Sequence, residues 1–360
     1  MKIVVDARPL LEPRPGGVRF ASRGIIRSLQ DAGEDVTLWI NSRSGARDAD
    51  LAGLDGARVI AGRIPNKILN ARLALAGRPH LDTLVGDPDW FILPNPNFAA
   101  FSSRAKVAVV FHDLSFEVNP SWFSPRQRVW HRMVNPRALA ERADRIIAVS
   151  ENTKRDLIDL YGEDEGKIFV VPPAIAPGQY PQIKREQVIL FLGEVTRRKN
   201  VLGLVKAFEG LAGSFPELIL IIAGPDGWGA GEVDRAIQAS PVGERIRRMG
   251  AVTEETKRKL LSWASVFVYP SFYEGFGLPV VEAMAAGTPV VASHAGSLPE
   301  VVGDAGLLVD PYDLSTLREA MAALLGNPSL AESCARRGLE RAAAWASPGE
   351  PARLLACLRM

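Results

Sequence analysis

Along the chain, short runs of Val, Ile and Leu with little polar alternation are separated by stretches of helical spacing. Strands without alternation are buried on both faces, and their separation by helices is the pattern of a parallel sheet covered on both sides. The first half carries strand-like runs at Lys2–Asp6, Val36–Ile40, Trp90–Leu93, Val107–Phe111 and Arg145–Val149. Helices are predicted over Gly16–Ala32, ending near Gly33, and over Glu151–Tyr161. The uncharged segment Val171-Pro172-Pro173-Ala174-Ile175-Ala176-Pro177-Gly178 then breaks the rhythm, because proline fixes φ and removes donors.

After it the alternation restarts. Strands are expected at Val188–Leu192, Leu218–Ala223, Ile246–Met249, Val266–Tyr269, Pro289–Ala292 and Gly306–Val309, with helices near Val201–Leu211 and Asp313–Leu325. Two α/β halves in series predict two doubly wound domains facing a central cleft, with ligands at the carboxyl ends of the strands. The divisions drawn are 1–172 for the first domain, 173–184 for a linker and 185–344 for the second. A length of 360 residues suits two domains.

Composition narrows the classes. Hydrophobic residues at 47% and charged residues at 23% are globular values, against disorder or fibre. No apolar run approaches the ~18–20 residues that span a bilayer, and Asp6 interrupts any early signal core, so a cytoplasmic protein is expected. Cys334 and Cys357 are too few for a disulfide framework or a cysteine zinc site. A net charge of +2 lacks the excess of a bulk nucleic-acid binder.

The sharpest chemical signal runs from Phe272 to Gly287. A strand ends at Tyr269, a glycine-containing loop follows, Pro279 suits a helix's first turn and Gly287 its end. Such a loop brings backbone N–H groups to an anion at the positive end of a helix, and Glu274 and Glu282 frame it as acceptors for hydroxyls. Arg197-Arg198-Lys199 lie in the loop after the Val188–Leu192 strand, where cations suit a diphosphate. Gly16-Gly17, opening a helix, permit close approach to a phosphate. His112-Asp113 end the Val107–Phe111 strand, and His112 alone of the four histidines directly ends such a strand.

Other classes lose support. There is no G-x-G-x-x-G, no G-x-x-x-x-G-K-[ST] and no G-x-S-x-G, against a dehydrogenase, an NTPase and a serine hydrolase. Asp48-Ala49-Asp50 and Asp87-Pro88-Asp89 have metal-holding spacing but follow no buried strand, so both read as turns, and Gly224–Gly229 reads as a loop. From Ala57 to Leu81 there is no acid, while Arg58, Arg63, Lys67, Arg72 and Arg78 interleave with Ile64, Ile68, Leu69, Leu73 and Leu75. Trp122, Phe123, Trp130 and Met133 likewise sit among Arg126, Arg128, Arg132 and Arg137. Both stretches could form helices whose apolar face either packs on the sheet or meets an anionic membrane, and peripheral binding at the inner membrane face is the hypothesis drawn.

The residues now assembled resemble the retaining GT-B glycosyltransferases of family 4. The resemblance rests on Glu274-Gly275-Phe276-Gly277-Leu278-Pro279-x-x-Glu282, the family's Glu-x7-Glu motif, continuing to Ser293 and through Gly296–Glu300. His112-Asp113, Ala143–Ser150 and Arg198-Lys199-Asn200 extend it over most of the chain. It implies a hexosyltransferase that takes a nucleotide-sugar as substrate and retains anomeric configuration without a metal or other cofactor. It also implies a glycan or lipid-linked acceptor and no nucleic acid. By the same resemblance Glu282 would hold the donor's ribose, Glu274 the sugar hydroxyls, and the Phe276, Gly277 and Leu278 backbone the sugar and phosphates. Arg198 and Lys199 would neutralise the leaving diphosphate, and His112 would contact the transferred sugar. Gly16 and Gly17, with Asp113 nearby, would serve the phosphate and acceptor side. His112, Glu274 and Lys199 form the implied catalytic set.

Arg197 stands where many relatives have proline, which leaves open whether Arg197 or Arg198 reaches the diphosphate. The Val171–Ala174 segment resembles a subgroup associated with mannosyl transfer, pointing to GDP-mannose; a UDP-sugar donor and a nucleotide-sugar epimerase of the same fold are the alternatives. The resemblance further implies that residues 345–360 form a helix crossing back to the first domain.

Overall fold

The computed structural model describes the chain except residues 13–15, 43–50, 52, 55, 174–177 and 347–348. The Asp48–Asp50 turn and the centre of the expected linker therefore lie outside the described residues. Residues 178–185 carry neither helix nor strand.

Each of two compact units is built on one parallel sheet. The first unit contains Met1–Glu117, Pro125–Ala174 and Pro348–Met360. Its strands are β1 (Lys2–Asp6), β2 (Asp35–Asn41), β3 (Arg58–Gly62), β4 (Trp90–Leu93), β5 (Val107–Phe111), β6 (Arg145–Ala148) and β7 (Ile168–Val170), in spatial order β3-β2-β1-β4-β5-β6-β7. β4 and β5 are buried at every residue, as their unbroken apolar runs require. Ile3 on β1 aligns with Val36 on one side and Trp90 on the other, so the order reverses between β1 and β4.

The second unit contains Val118–Ser124 and Ile175–Ser347. Its strands are β8 (Glu186–Leu192), β9 (Ile219–Ala223), β10 (Ile246–Gly250), β11 (Ala264–Tyr269), β12 (Val290–Ser293) and β13 (Leu307–Val309), ordered β10-β9-β8-β11-β12-β13. Here the reversal falls between β8 and β11, which places the loops after Leu192 and Tyr269 side by side at the carboxyl end of the sheet. Within this unit Trp122 stacks on Phe272 with ring centroids 6.1 Å apart, so the Val118–Ser124 segment packs beside the second of those loops. Together these are the two Rossmann-like sheets of a GT-B architecture.

Several expectations are corrected. Arg58–Gly62 is an edge strand, not part of a basic helix, because β-branched Val59 and Ile60 pair with β2. The helix that follows, Asn66–Ala76, buries Leu69 and Leu73 in the core and leaves Ile68 and Leu75 exposed. Trp122 is also buried. An eighteen-residue helix, Pro328–Trp345, follows Leu314–Gly326 where the hydrophobic pattern singled out none. Pro328 starts it: the Asn327 side chain accepts from the Leu330 N–H at 3.1 Å, and proline costs nothing in a helix's first turn. The terminal helix spans Gly349–Arg359 rather than starting at Trp345, which instead closes the preceding helix and donates its indole N–H to the Val301 carbonyl at 3.2 Å. Within the first unit that terminal helix lies against the Gly17–Asp31 helix, and the Arg145 guanidinium donates to the Cys357 carbonyl at 3.2 Å.

Candidate active site

The loop after β11 is fixed through its backbone. Phe272 N–H donates to the Arg198 carbonyl at 2.8 Å, and the Arg198 guanidinium donates back to the Tyr273 carbonyl at 2.7 Å. The loops after β8 and β11 are thus tied at the switch point. Ser297 donates both its N–H (3.0 Å) and its hydroxyl (3.1 Å) to the Glu274 carbonyl. Gly296 sits against that residue: its φ is +60°, and a Cβ there would lie 2.5 Å from the Glu274 carbonyl oxygen, so a side chain would push the glutamate out of place.

The Glu274 side chain is buried between two cations. Lys199 Nζ donates to its Oε1 at 2.5 Å, and Arg198 Nη1 lies 3.3 Å from its Oε2. Lys199 also donates to the Tyr269 hydroxyl at 2.6 Å and lies 4.7 Å from that ring's centroid. Burial pushes the Glu274 carboxyl up, but Lys199 and then Arg198 outweigh it and hold the group below the usual carboxylate range. Burial, then the Glu274 charge, pushes the Tyr269 phenol well up, so it stays protonated.

Helix Leu278–Ala285 begins beside this cluster. Gly277 caps it at φ +96°, a left-handed conformation that favours glycine, and Pro279 occupies its first turn. Phe276 does not present its ring: it is buried edge-on against Trp345, centroids 5.2 Å apart. Glu282 lies further along this helix and accepts from Lys257 Nζ at 2.6 Å. Burial pushes its carboxyl up, opposed by Lys257.

Four expected residues lie in the first unit. His112 Nε2 is 2.8 Å from the Pro94 carbonyl; a carbonyl only accepts, so Nε2 carries the proton and the neutral ring keeps Nδ1 as acceptor. Burial lowers its pKa against the opposing pull of that carbonyl and of Asp113. Asp113 Oδ1 accepts from the Ser115 N–H at 3.0 Å and hydroxyl at 2.6 Å, capping the short turn that follows. Gly16 caps helix Gly17–Asp31 in an ordinary extended conformation. A Cβ on Gly16 or Gly17 would meet nothing within 4 Å, so the packing of their own unit does not demand glycine at either.

The family model described as "Glycosyltransferase Family 4" matches residues 15–179, and that described as "Glycosyl transferases group 1" matches residues 176–341. The chain is 32% identical to the O-antigen chain mannosyltransferase B of Escherichia coli over 70% of each chain. This chain belongs to glycosyltransferase family 4. It is also 30% identical to the D-inositol 3-phosphate glycosyltransferase of Nocardia farcinica, over 61% of this chain and about half (53%) of that protein. In fold it is similar to Anabaena HepE, solved with UDP and glucose, at TM-score 0.75 and 18% identity, over 99% of this chain and 98% of that one.

In this glycosyltransferase the two arginines after β8 part ways. Arg198 faces Glu274, whereas Arg197 pairs with Glu232 and lies 5.4 Å from the Trp228 ring centroid. Arg198, Lys199 and Glu274 meet directly, and Phe276, Gly277 and Leu278 open the adjoining helix that bears Glu282. Sequence reasoning missed Tyr269 and Lys257. The first reads as core at a strand's end, and the second as one more lysine of a charged helix. Asp87-Pro88-Asp89 carries neither helix nor strand, and Asp89 Oδ2 accepts from the Lys2 N–H at 2.8 Å. Among the described residues no group of His, Cys, Asp and Glu is arranged to hold a metal ion, and no helix is long and apolar enough to cross a membrane.

Proposed function

We propose that this enzyme transfers a hexose, mannose from GDP-mannose, to a glycan or lipid-linked acceptor, with retention and without a metal. The observation that carries this reading is the Arg198–Glu274–Lys199 cluster, two cations on one buried acid beside a helix N-terminus. As the bond from the sugar's anomeric carbon to the diphosphate breaks, negative charge builds on the departing oxygens. Preorganised cations and helix N–H groups stabilise charge that develops in the transition state. Glu274 would share its cations with the diphosphate and accept from sugar hydroxyls, while the Phe276, Gly277 and Leu278 backbone approaches the phosphates.

Glu282 would accept from the ribose hydroxyls. His112, Gly16 and Gly17 would serve the transferred sugar, the phosphate and the acceptor. The acceptor oxygen bonds to the anomeric carbon on the face the diphosphate leaves, and a leaving phosphate oxygen takes the acceptor's proton. The mannosyl assignment draws on the E. coli mannosyltransferase relative. The HepE complex with UDP and glucose favours a UDP-sugar as the second reading.

Turnover of GDP-mannose and UDP-glucose, each with and without EDTA, tests this. GDP-mannose turnover untouched by chelator, with an α-linked product by NMR, supports the proposal. Use of UDP-glucose alone moves the donor to the second reading, and loss of turnover restored by a divalent ion ends the metal-free mechanism.

For the acceptor side we propose an anionic membrane surface as a docking partner. Helix Pro125–Val134 leaves Val129, Trp130 and Met133 exposed, with Arg126, Arg128 and Arg132 exposed among them. Exposed apolar side chains flanked by arginines suit insertion at the headgroup boundary of acidic lipid.

A further inference from the structure

Glu282 is held from a neighbouring helix, Glu254–Trp263, by a residue that the Glu-x7-Glu motif does not contain. Lys257 Nζ donates to Glu282 Oε1 at 2.6 Å and to Glu254 Oε2 at 2.9 Å. Thr253 caps that helix, its hydroxyl accepting from the Thr256 N–H at 3.2 Å, so Lys257 lies close to the N-terminus. A cation there opposes the helix dipole, which Glu254 and Glu255 instead complement. Its side chain is also mostly buried, with 20% exposed. A lysine in so unfavourable a place is explained by the carboxylate it grips. Lys257 engages Oε1, while the Glu282 side chain keeps 25% exposure, so its second oxygen remains able to accept.

We propose that Lys257 is a positioning residue for donor recognition: by fixing one oxygen of Glu282 it aims the other at the vicinal hydroxyls of a nucleotide's ribose. This rests on the ribose-binding reading of Glu282 given above. It distinguishes the base-and-ribose half of the donor, gripped through Lys257, from the diphosphate half, gripped by Arg198 and Lys199.

The charges around Glu282 fix the sign of a pH effect. Lys257, Glu254 and Arg258 face it from helix Glu254–Trp263, Tyr180 from the segment before β8 and Tyr269 from β11. Burial is the largest influence and raises the carboxyl; Lys257 is the largest opposing one. Without the ammonium the carboxyl rises further, so Glu282 protonates at higher pH and accepts less well from a hydroxyl.

Calorimetric titration of the full chain with GDP, UDP and ADP, and with their 2′,3′-dideoxy counterparts, tests the proposal in wild type, Lys257→Met and Lys257→Arg. The nucleotide that wild type binds should bind Lys257→Met about tenfold more weakly, the typical worth of a hydrogen bond to a charged group. Its dideoxy form should lose little, Lys257→Arg should recover most of the affinity, and the acid limb of binding should move to higher pH in Lys257→Met. In a Glu282→Gln background the Lys257→Met effect should vanish. Equal affinity of wild type and Lys257→Met overturns the role of Lys257 alone, as does equal weakening of the ribo and dideoxy forms. Failure of wild type to bind any of the three nucleotides overturns the donor-site reading and this proposal with it.

Discussion

Lys199 and Glu274 share a hydrogen bond of 2.5 Å although they come from loops after different strands, β8 and β11, and each is more than nine-tenths buried. The pair joins the two loops at the switch point and sets the charge of the site in one contact. Lys199→Met and Glu274→Gln should each reduce transfer on the order of 10²–10³-fold, as loss of a preorganised electrostatic group does. Lys199→Met should also destabilise the protein by about 3–5 kcal/mol, because a buried carboxylate loses its nearest partner. Glu274→Gln keeps the shape but leaves Lys199 buried without its carboxylate, so it too should lower the melting temperature. Steady-state rates and thermal melts of both variants check this; full activity in both would remove the site.

Arg197 and Arg198 are adjacent in sequence and differ in surroundings. Arg198→Ala should lower the transfer rate about 10²-fold, since its guanidinium faces Glu274. Arg197→Ala should leave the rate near wild type, because its partner Glu232 lies on the surface with it. The reverse ranking in a kinetic assay would reassign the phosphate ligand.

Two groups point to the same pH dependence. Glu274 has its folded pKa depressed, so its contribution to stability is present above the ordinary carboxylate pKa and is lost as pH falls through the folded value. His112 is also depressed, chiefly by burial. Its contribution is complete above the ordinary histidine value of about 6.5 and drains away as pH drops below it. Melting temperature should therefore fall in two acid steps, the first below about pH 6.5 and the second below about pH 4. His131 is also held down by burial and shares the first step, so His112→Gln should reduce that step rather than remove it, and Glu274→Gln should reduce the second; unchanged profiles would contradict both assignments.

The exposed stripe of helix Pro125–Val134 makes a separate prediction. Wild type should pellet with acidic vesicles at low salt and less so as salt is raised. Met133→Ser with Val129→Ser should abolish pelleting with little change in melting temperature, since both side chains are about half exposed. Cosedimentation of wild type with neutral vesicles alone would argue against an electrostatic surface.

Much of the fold was legible because buried parallel strands advertise themselves. Val107–Phe111 and Trp90–Leu93 are strands at the residues their apolar runs mark, and Val201–Leu211 is a helix at its full predicted length. Arg58–Gly62 was not legible, since an edge strand with exposed residues has no continuous apolar run. Helix Pro328–Trp345 was hidden by a proline that reads as a breaker and acts as a start. In the candidate site, the chemistry-bearing residue types were legible, whereas their partners were not. Pairing Lys257 with Glu282, 25 residues apart in sequence, requires knowing that their two helices lie side by side. The separation of Arg197 from Arg198 depends on a loop's twist, which no spacing encodes.

The Gly349–Arg359 helix belongs to the first unit although the chain reaches it only after completing most of the second. Leu354, Cys357 and Leu358 are buried there, and Arg359 pairs with Glu34 at 2.7 Å. An amino-terminal fragment cut after β7 would therefore be missing a wall of its own interior and would show a greasy scar to solvent. Any attempt to prepare that half as a separate piece must graft this tail back on, or supply it as a peptide.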